Sequence, residues 1–255
     1  MRITVLTENT SKKGLPVEHG LSLYIEANGK KLLFDTGQSG LFSENAEKLG
    51  VDLSKVEFAV LSHGHYDHGG GLKKFFEINE KAPVYMSEYA FEPHYNGERY
   101  IGLDNDLDKS RMVFTNGVTK ISDGFTLYSC NDREKITASD SFGLNMLKDK
   151  VLVPEDFRHE HYLLIEENGK KILISGCSHK GIVNIAEWFK PDVLIGGFHI
   201  SKINSEKELK YLAEKLNSYS VCYYTCHCTG EKQYEIMRRY MDELSYTSTG
   251  DIIEF

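Results

Sequence analysis

Between Leu61 and Gly71 the chain reads Leu-Ser-His-Gly-His-Tyr-Asp-His-Gly-Gly-Gly. His63, His65, Asp67 and His68 fall within six residues. Imidazole nitrogens suit zinc, iron and related divalent ions, and a carboxylate adds a hard oxygen donor and negative charge. Gly64 and the glycine triplet allow the tight turns that bring neighbouring ligands to one point. His63 and His65 project to one side of an extended segment, and Asp67 and His68 project after the turn. That arrangement supplies parts of two adjacent metal sites.

The elements that must hold these donors are legible as a repeat. Residues 24–34 recur in pattern at 164–174, each reading as strand, Asn-Gly turn, strand, the strongest short-range hairpin signal. A small-residue loop follows each copy, Asp35-Thr36-Gly37 or Ser175-Gly176-Cys177. A helical pattern comes next, around 45–49 and 182–189, and then an apolar strand ending near a histidine: 56–61 before His63, and 193–197 before His199. Four matching elements in the same order predict two related halves packed face to face, with His63, Cys177, His179 and His199 at their seam. His179, His199 and His227 each follow an apolar strand, where sites in α/β sheets assemble; an isolated histidine such as His94 ranks below them. Toward the C-terminus, 205–219 reads as a helix with Ser205 as N-cap and Glu208 three residues on. A strand over 219–225, a helix over 230–241 and a strand over 251–255 complete the pattern. Segments 90–111 and 131–161 are irregular, of the length used for lids and substrate walls. A single domain over 1–255 carrying these two insertions is expected.

A net charge of −8 argues against a nucleic-acid surface. No stretch approaches the ~18 apolar residues of a membrane span, and the N-terminal strand lacks a signal-peptide core, so cytoplasmic residence is expected. The five cysteines, Cys130, Cys177, Cys222, Cys226 and Cys228, point to metal binding or free thiols rather than a disulfide frame.

The pattern His-x-His-x-Asp-His after an apolar strand resembles the signature of the metallo-β-lactamase superfamily. That resemblance implies an α/β fold, a four-layer αβ/βα sandwich of two related halves, with one or two metals at the edge between its sheets. Six blocks occur in order: Glu18-His19-Gly20, 34–39, 61–71, 176–184, 196–199 and 227–230. Together they look like the subfamily named for 7,8-dihydropterin-6-methyl-4-(β-D-ribofuranosyl)-aminobenzene-5′-phosphate synthase. The superfamily's bridging aspartate would fall where this chain has Cys177, a candidate thiolate ligand. Its usual third histidine would fall near His159 or His161, neither of which sits in a Gly-His turn, and His179 is preferred as substitute. His227 matches the last superfamily histidine. The implied arrangement is one ion on His63, His65 and His179 and a second on Asp67, His68 and His227. Zinc is the first expectation, with iron, manganese or nickel as alternatives.

Three functions follow from these residues. The first is a hydrolase acting on a phosphorylated or ester-type small molecule through a metal-bound water, with Asp67 as general acid/base and His199 contacting substrate or donating a proton. The second is the subfamily's transferase chemistry, joining a dihydropterin diphosphate to a ribofuranosylaminobenzene phosphate, for which Tyr66, Tyr89, Phe91, Tyr95 and Tyr100 offer ring-stacking surfaces. The third is an iron–sulfur electron carrier on Cys222, Cys226 and Cys228 plus a distant cysteine, although Cys-x3-Cys-x-Cys is not a usual cluster spacing. The partner expected is a small molecule, phosphorylated or pterin-like, and neither nucleic acid nor membrane.

Overall fold

The computed structural model describes residues 1–255. Both Asn-Gly segments form the hairpins their sequence predicts. Ser22–Ala27 pairs with Lys30–Phe34, and Tyr162–Glu167 with Lys170–Ser175, in antiparallel register. Asn28 and Gly29, and Asn168 and Gly169, all take positive φ, as a two-residue turn matched to strand twist requires.

Each hairpin is the centre of a seven-stranded sheet. The first sheet runs Ile252–Glu254, Arg2–Thr7, Ser22–Ala27, Lys30–Phe34, Phe58–Val60, Val84–Ser87, Met112–Thr115. The second runs Val118–Ser122, Phe125–Tyr128, Tyr162–Glu167, Lys170–Ser175, Val193–Ile195, Cys222–Thr225, Leu244–Tyr246. Written in this direction, both sheets have three antiparallel pairings followed by three parallel ones. The repeat in sequence is therefore a repeat in topology.

Strand alternation builds four layers. Leu23, Ile25, Leu32 and Phe34 from one sheet and Leu163, Ile165, Ile172 and Ile174 from the other share a buried inter-sheet core. The residues between them point the other way. Tyr24 and Leu33 meet Phe42 and Ala46 of the helix Leu41–Lys48. Leu164 and Leu173 meet Ile182, Ile185 and Ala186 of the helix Ile182–Phe189, and Leu209, Ala213 and Leu216 of the helix Glu206–Asn217. The last helix is capped as its sequence predicts, with Ser205 Oγ accepting from Glu208 N–H at 3.3 Å. No helix is long and apolar enough to cross a membrane.

Three expectations need correction. The two irregular segments contain four short strands, Val151–Pro154, Leu144–Lys148, His94–Asn96 and Arg99–Tyr100, which pair in that order into a third sheet. Their pairing joins segments about 50 residues apart in sequence, so periodicity within either one could not reveal it. The helix expected over 230–241 stops after Glu231–Met237. The strand expected over 219–225 is confined to Cys222–Thr225.

Phe34 is fully buried between the two sheets. Phe34→Ala is expected to lower stability by about 3–5 kcal/mol, read as a lower denaturation midpoint in urea with an unchanged transition slope.

Candidate metal centre

The loop after Phe58–Val60 is organised by a buried carboxylate from the neighbouring strand. Asp35 follows Lys30–Phe34; its Oδ1 accepts from Ser62 N–H at 2.7 Å, and its Oδ2 accepts from Ser62 Oγ–H at 2.7 Å. The same Oδ2 lies 2.7 Å from His68 Nδ1, and Ser62 Oγ lies 2.8 Å from His63 Nδ1. Since Ser62 Oγ gives its proton to Asp35, it accepts from His63 Nδ1–H, and Asp35 accepts from His68 Nδ1–H. Both rings are thereby fixed with Nε2 free. Gly64 separates the first two histidines because a Cβ there would overlap the Ala90 carbonyl. Gly176 is required in the same way, facing Ser62 Oγ from the other half.

The second half delivers its donors from strand ends. His179 lies in the turn after Lys170–Ser175, where Glu160 accepts from the backbone N–H of His179 (2.7 Å) and of Lys180 (3.0 Å). Its ring stacks on Phe157 at 4.4 Å between centroids. His227 opens the turn after Cys222–Thr225. Its N–H donates to Glu8 Oε1 at 2.6 Å and its Nδ1–H to Asn9 Oδ1 at 2.8 Å, again leaving Nε2 free.

Free Nε2 atoms meet across the seam. His63 Nε2 is 3.3 Å from His179 Nε2, and His68 Nε2 is 3.3 Å from His227 Nε2. With the ring proton on Nδ1 in His63 and His227, each contact presents at least one nitrogen lone pair to the facing ring, which a shared cation satisfies, or in its absence a proton on the Nε2 of His179 or His68. A separation of 3.3 Å is what two nitrogens about 2.0–2.1 Å from a tetrahedral ion adopt. His63, His65 and His179 form one set of mutually close donors, and His63, His68 and Cys177 another. Cys177 Sγ is 3.2 Å from His68 Nε2. Asp67 Oδ2 lies 3.3 Å from His227 Nε2, 3.8 Å from His68 Nε2 and 3.2 Å from His19 Nε2. The donor set fits two divalent ions.

Electrostatics agree with that fit. Burial, reinforced by the surrounding histidines, holds the His63 imidazole neutral, its pKa well below the usual value. His179 is lowered for the same reasons, with His199 the largest of its neighbours. Burial opposes ionisation of Asp67, but His68, His19 and His227 overcome it and keep the group a carboxylate. Burial pushes the Cys177 thiol up, so its proton leaves on metal binding rather than before it.

All seven residues expected as ligands therefore lie in one buried cluster. His199 reaches its edge, with ring centroid 4.1 Å from that of His179 and neither ring nitrogen hydrogen-bonded. His161 turns aside, its Nδ1 3.5 Å from Thr115 Oγ1, and His159 turns to Glu155 at 2.7 Å. The cysteines proposed for an iron–sulfur cluster diverge. Cys222 faces Glu243 at 3.8 Å, Cys226 sits in the inter-sheet core, and Cys228 approaches the Cys177 carbonyl at 3.4 Å. Sequence reasoning missed Glu8, Asn9, His19, Asp35, Glu155 and Glu160 and ranked His94 too low. Asp35 carried a local signal as the first residue of the small-residue loop of the repeat, and His19 stood in the Glu18-His19-Gly20 block.

Two outcomes are expected. Metal-replete protein should hold close to two ions per chain by mass spectrometry, and His63→Ala or His65→Ala should lower that number; full retention would remove these residues from the ligand set. In metal-free protein, burial disfavours the His68 imidazolium, yet Asp35 and Asp67 raise its pKa from 6.5 to about 9. A raised pKa contributes stability that is present in full below about pH 6.5 and lost as pH rises through about 9. Metal uptake at pH 7–8 should therefore release a proton from His68, and affinity should rise with pH up to about 9. Calorimetry in buffers of different ionisation enthalpy reads that proton.

The geometry can be set beside known proteins. The Metallo-beta-lactamase superfamily profile matches residues 15–223. The chain is 32% identical over 98% of its length to an uncharacterized protein of Methanocaldococcus jannaschii, covering 99% of it. It is 31% identical over its whole length to that organism's 7,8-dihydropterin-6-methyl-4-(beta-D-ribofuranosyl)-aminobenzene-5′-phosphate synthase, covering 97% of it. A crystal structure described as a metal-dependent hydrolase of the beta-lactamase superfamily superposes with a TM-score of 0.84 at 31% identity, over 100% of this chain and 99% of that one. With its two repeated sheets and its donors gathered at their seam, the chain belongs to the metallo-beta-lactamase superfamily.

Proposed function

We propose that this protein is a metal-dependent hydrolase of a small ester- or phosphoester-type molecule, using two divalent ions, zinc first among them. The observation that carries this reading is the pair of 3.3 Å Nε2–Nε2 contacts, with the Asp67 carboxylate 3.3 Å from His227 at the second of them. They stand beside a cleft of about 260 Å³ that shares His179 and His199 with the donor cluster. When bound, the ions supply a water acidified toward neutral pH and Lewis-acid polarisation of a carbonyl or phosphoryl oxygen.

The remaining chemistry belongs to the chain. Ile182, Val183, Ile203 and Leu212 line the cleft and receive the apolar part of a substrate, while Ser139 and Lys215 offer polar contacts. Asp67, kept ionised by its three histidine neighbours, accepts the proton of the attacking water. His199 has neither ring nitrogen hydrogen-bonded within the protein. It donates a proton to the leaving oxygen as the bond to carbon or phosphorus breaks. His19, half exposed and 3.2 Å from Asp67, connects that carboxylate to solvent.

The full-length likeness to the methanopterin-type synthase supports a second reading, condensation of a dihydropterin diphosphate with a ribofuranosylaminobenzene phosphate. In that reading Phe142 and Tyr211, which line the cleft, flank the pterin; Tyr66, Tyr89, Phe91, Tyr95 and Tyr100 are not among its lining residues. A panel of phosphodiesters, lactones and the two synthase substrates separates the readings. Hydrolysis of single substrates supports the first, and diphosphate release that needs both synthase substrates supports the second.

His199→Ala is expected to retain both ions and to lose turnover by roughly 10²-fold or more, the scale of a positioned proton donor. Loss of an ion would make His199 a ligand, and unchanged turnover would remove it from the reaction.

A further inference from the structure

Beside the two-ion centre a group of buried side chains gathers at Glu155. Its Oε2 is 3.2 Å from His65 Nε2, and its Oε1 is 2.7 Å from His159 Nε2 and 2.5 Å from His94 Nδ1. All four residues are buried. Gly64 N–H donates to His159 Nδ1 at 2.8 Å. That bond uses the Nδ1 lone pair of His159, so the proton of the neutral ring sits on Nε2, the nitrogen beside Glu155. Burial keeps His159 neutral, holding it well below the usual imidazole range. Burial also opposes ionisation of Glu155, but His159, His65 and His94 outweigh it and leave the group a carboxylate.

The contacts close a ring: Gly64 to His159, His159 to Glu155, and Glu155 to His65. Two successive residues of the His-Gly-His segment are thereby clamped to 155–159. His94 stacks on His159 with centroids 4.0 Å apart. Two stacked rings sharing one oxygen cannot both aim at it, and His94 Nδ1, His159 Nε2 and Glu155 Oε1 indeed lack aligned hydrogen bonds. The cluster is not itself a complete ion site. With His159 Nε2 protonated and His65 engaged at the two-ion centre, only His94 and Glu155 remain as donors, and zinc sites take at least three protein ligands.

We propose that Glu155 is a positioning residue of the metal centre: it accepts a hydrogen bond from His65 Nε2–H, and so turns Nδ1 toward the ion shared with His63 and His179. His159 and His94 hold the carboxylate in place. A metal-bound histidine that donates its other N–H to a carboxylate has its tautomer and ring orientation fixed and its basicity raised. The proposal rests on the two-metal reading and gives the third sheet a purpose. That sheet places Glu155 directly after the strand Val151–Pro154 and His94 at the start of His94–Asn96, carrying both into the base of the site.

The test uses the full-length zinc-loaded protein. Long-range ¹H–¹⁵N correlation spectra of the imidazoles should show His65 protonated at Nε2 with Nδ1 on zinc; the opposite tautomer overturns the proposal without any variant having to fold. Glu155→Gln and Glu155→Ala should bind one zinc 10- to 100-fold more weakly in chelator competition. The second zinc should be held as in the wild type, and the cobalt-substituted variants should show altered visible spectra. Wild-type protein that binds no zinc defeats the two-metal reading, and this proposal with it. Wild-type protein holding two ions, with both variants matching it in affinity and spectrum, defeats the role of Glu155 alone. A third zinc that is lost in Glu155→Ala would make Glu155 a ligand and equally overturn the proposal.

Discussion

The site depends first on the buried Asp35 carboxylate. Three donors converge on it, the backbone and hydroxyl of Ser62 and the Nδ1 of His68, and through Ser62 it also sets His63. Asp35 itself has φ 59°, a conformation non-glycine residues seldom adopt, maintained because the surrounding contacts leave no alternative. Its backbone N–H donates to Val60 O, and its carbonyl accepts from Ser22 Oγ. One residue thus ties three adjacent strands to the orientation of two metal-facing rings. Removing one partner of such a buried, hydrogen-bonded pair costs about 3–5 kcal/mol, because the other charge is left uncompensated.

The two halves share topology but have diverged in chemistry. By the alignment of the hairpins, Ser175 occupies the place of Asp35, and it reaches Ser178 at 2.6 Å instead of a histidine. Cys177 stands where the first half has Gly37. The first half contributes a dense run of donors on one loop. The second contributes its donors from two strand ends, Cys177 with His179 and then His227, and brings His199 beside them from a third. No half is a complete site. Nitrogen pairs such as His63 with His179 bring together one ring from each half, so ligand convergence and sheet packing are one constraint.

How much of this was legible in sequence follows from the range of each interaction. The Asn-Gly turns, the inward and outward alternation of Ile172, Leu173 and Ile174, and the Ser205 cap depend on residues a few positions apart. The ligand loop was equally visible, because His63, His65, Asp67 and His68 are local. His179 and His227 could be chosen because strand ends and family resemblance narrowed the options. Glu155 and His94 could not. They reach His65 only through a sheet assembled from two insertions, and nothing in Glu155 or its neighbours distinguishes it from a surface acid. Glu8 presents the same difficulty: it serves His227 from 219 residues away.

The distribution of buried charge shows why the metals belong to the fold as well as to the chemistry. The buried acids are Glu8, Asp35, Asp67, Glu155 and Glu160, and Lys180 is the one buried lysine. Every one of the five acids contacts a residue of the donor cluster: Glu8 and Asp67 contact His227, Asp35 contacts His68, Glu155 contacts His65 and Glu160 contacts His179. Five acidic side chains against one lysine make the interior around the site rich in carboxyl groups. The lysine offsets less than a full charge's worth as pH rises, since burial brings its pKa down to about 8. Two divalent ions would place positive charge where the ring nitrogens and the Asp67 carboxylate converge. Without them His68 keeps a proton at neutral pH, because against its burial Asp35 and Asp67 raise its pKa. The carboxylates that shape the ligand loops thus also make the interior a receptor for cations, so metal binding and the closing of the seam between the halves draw on the same free energy.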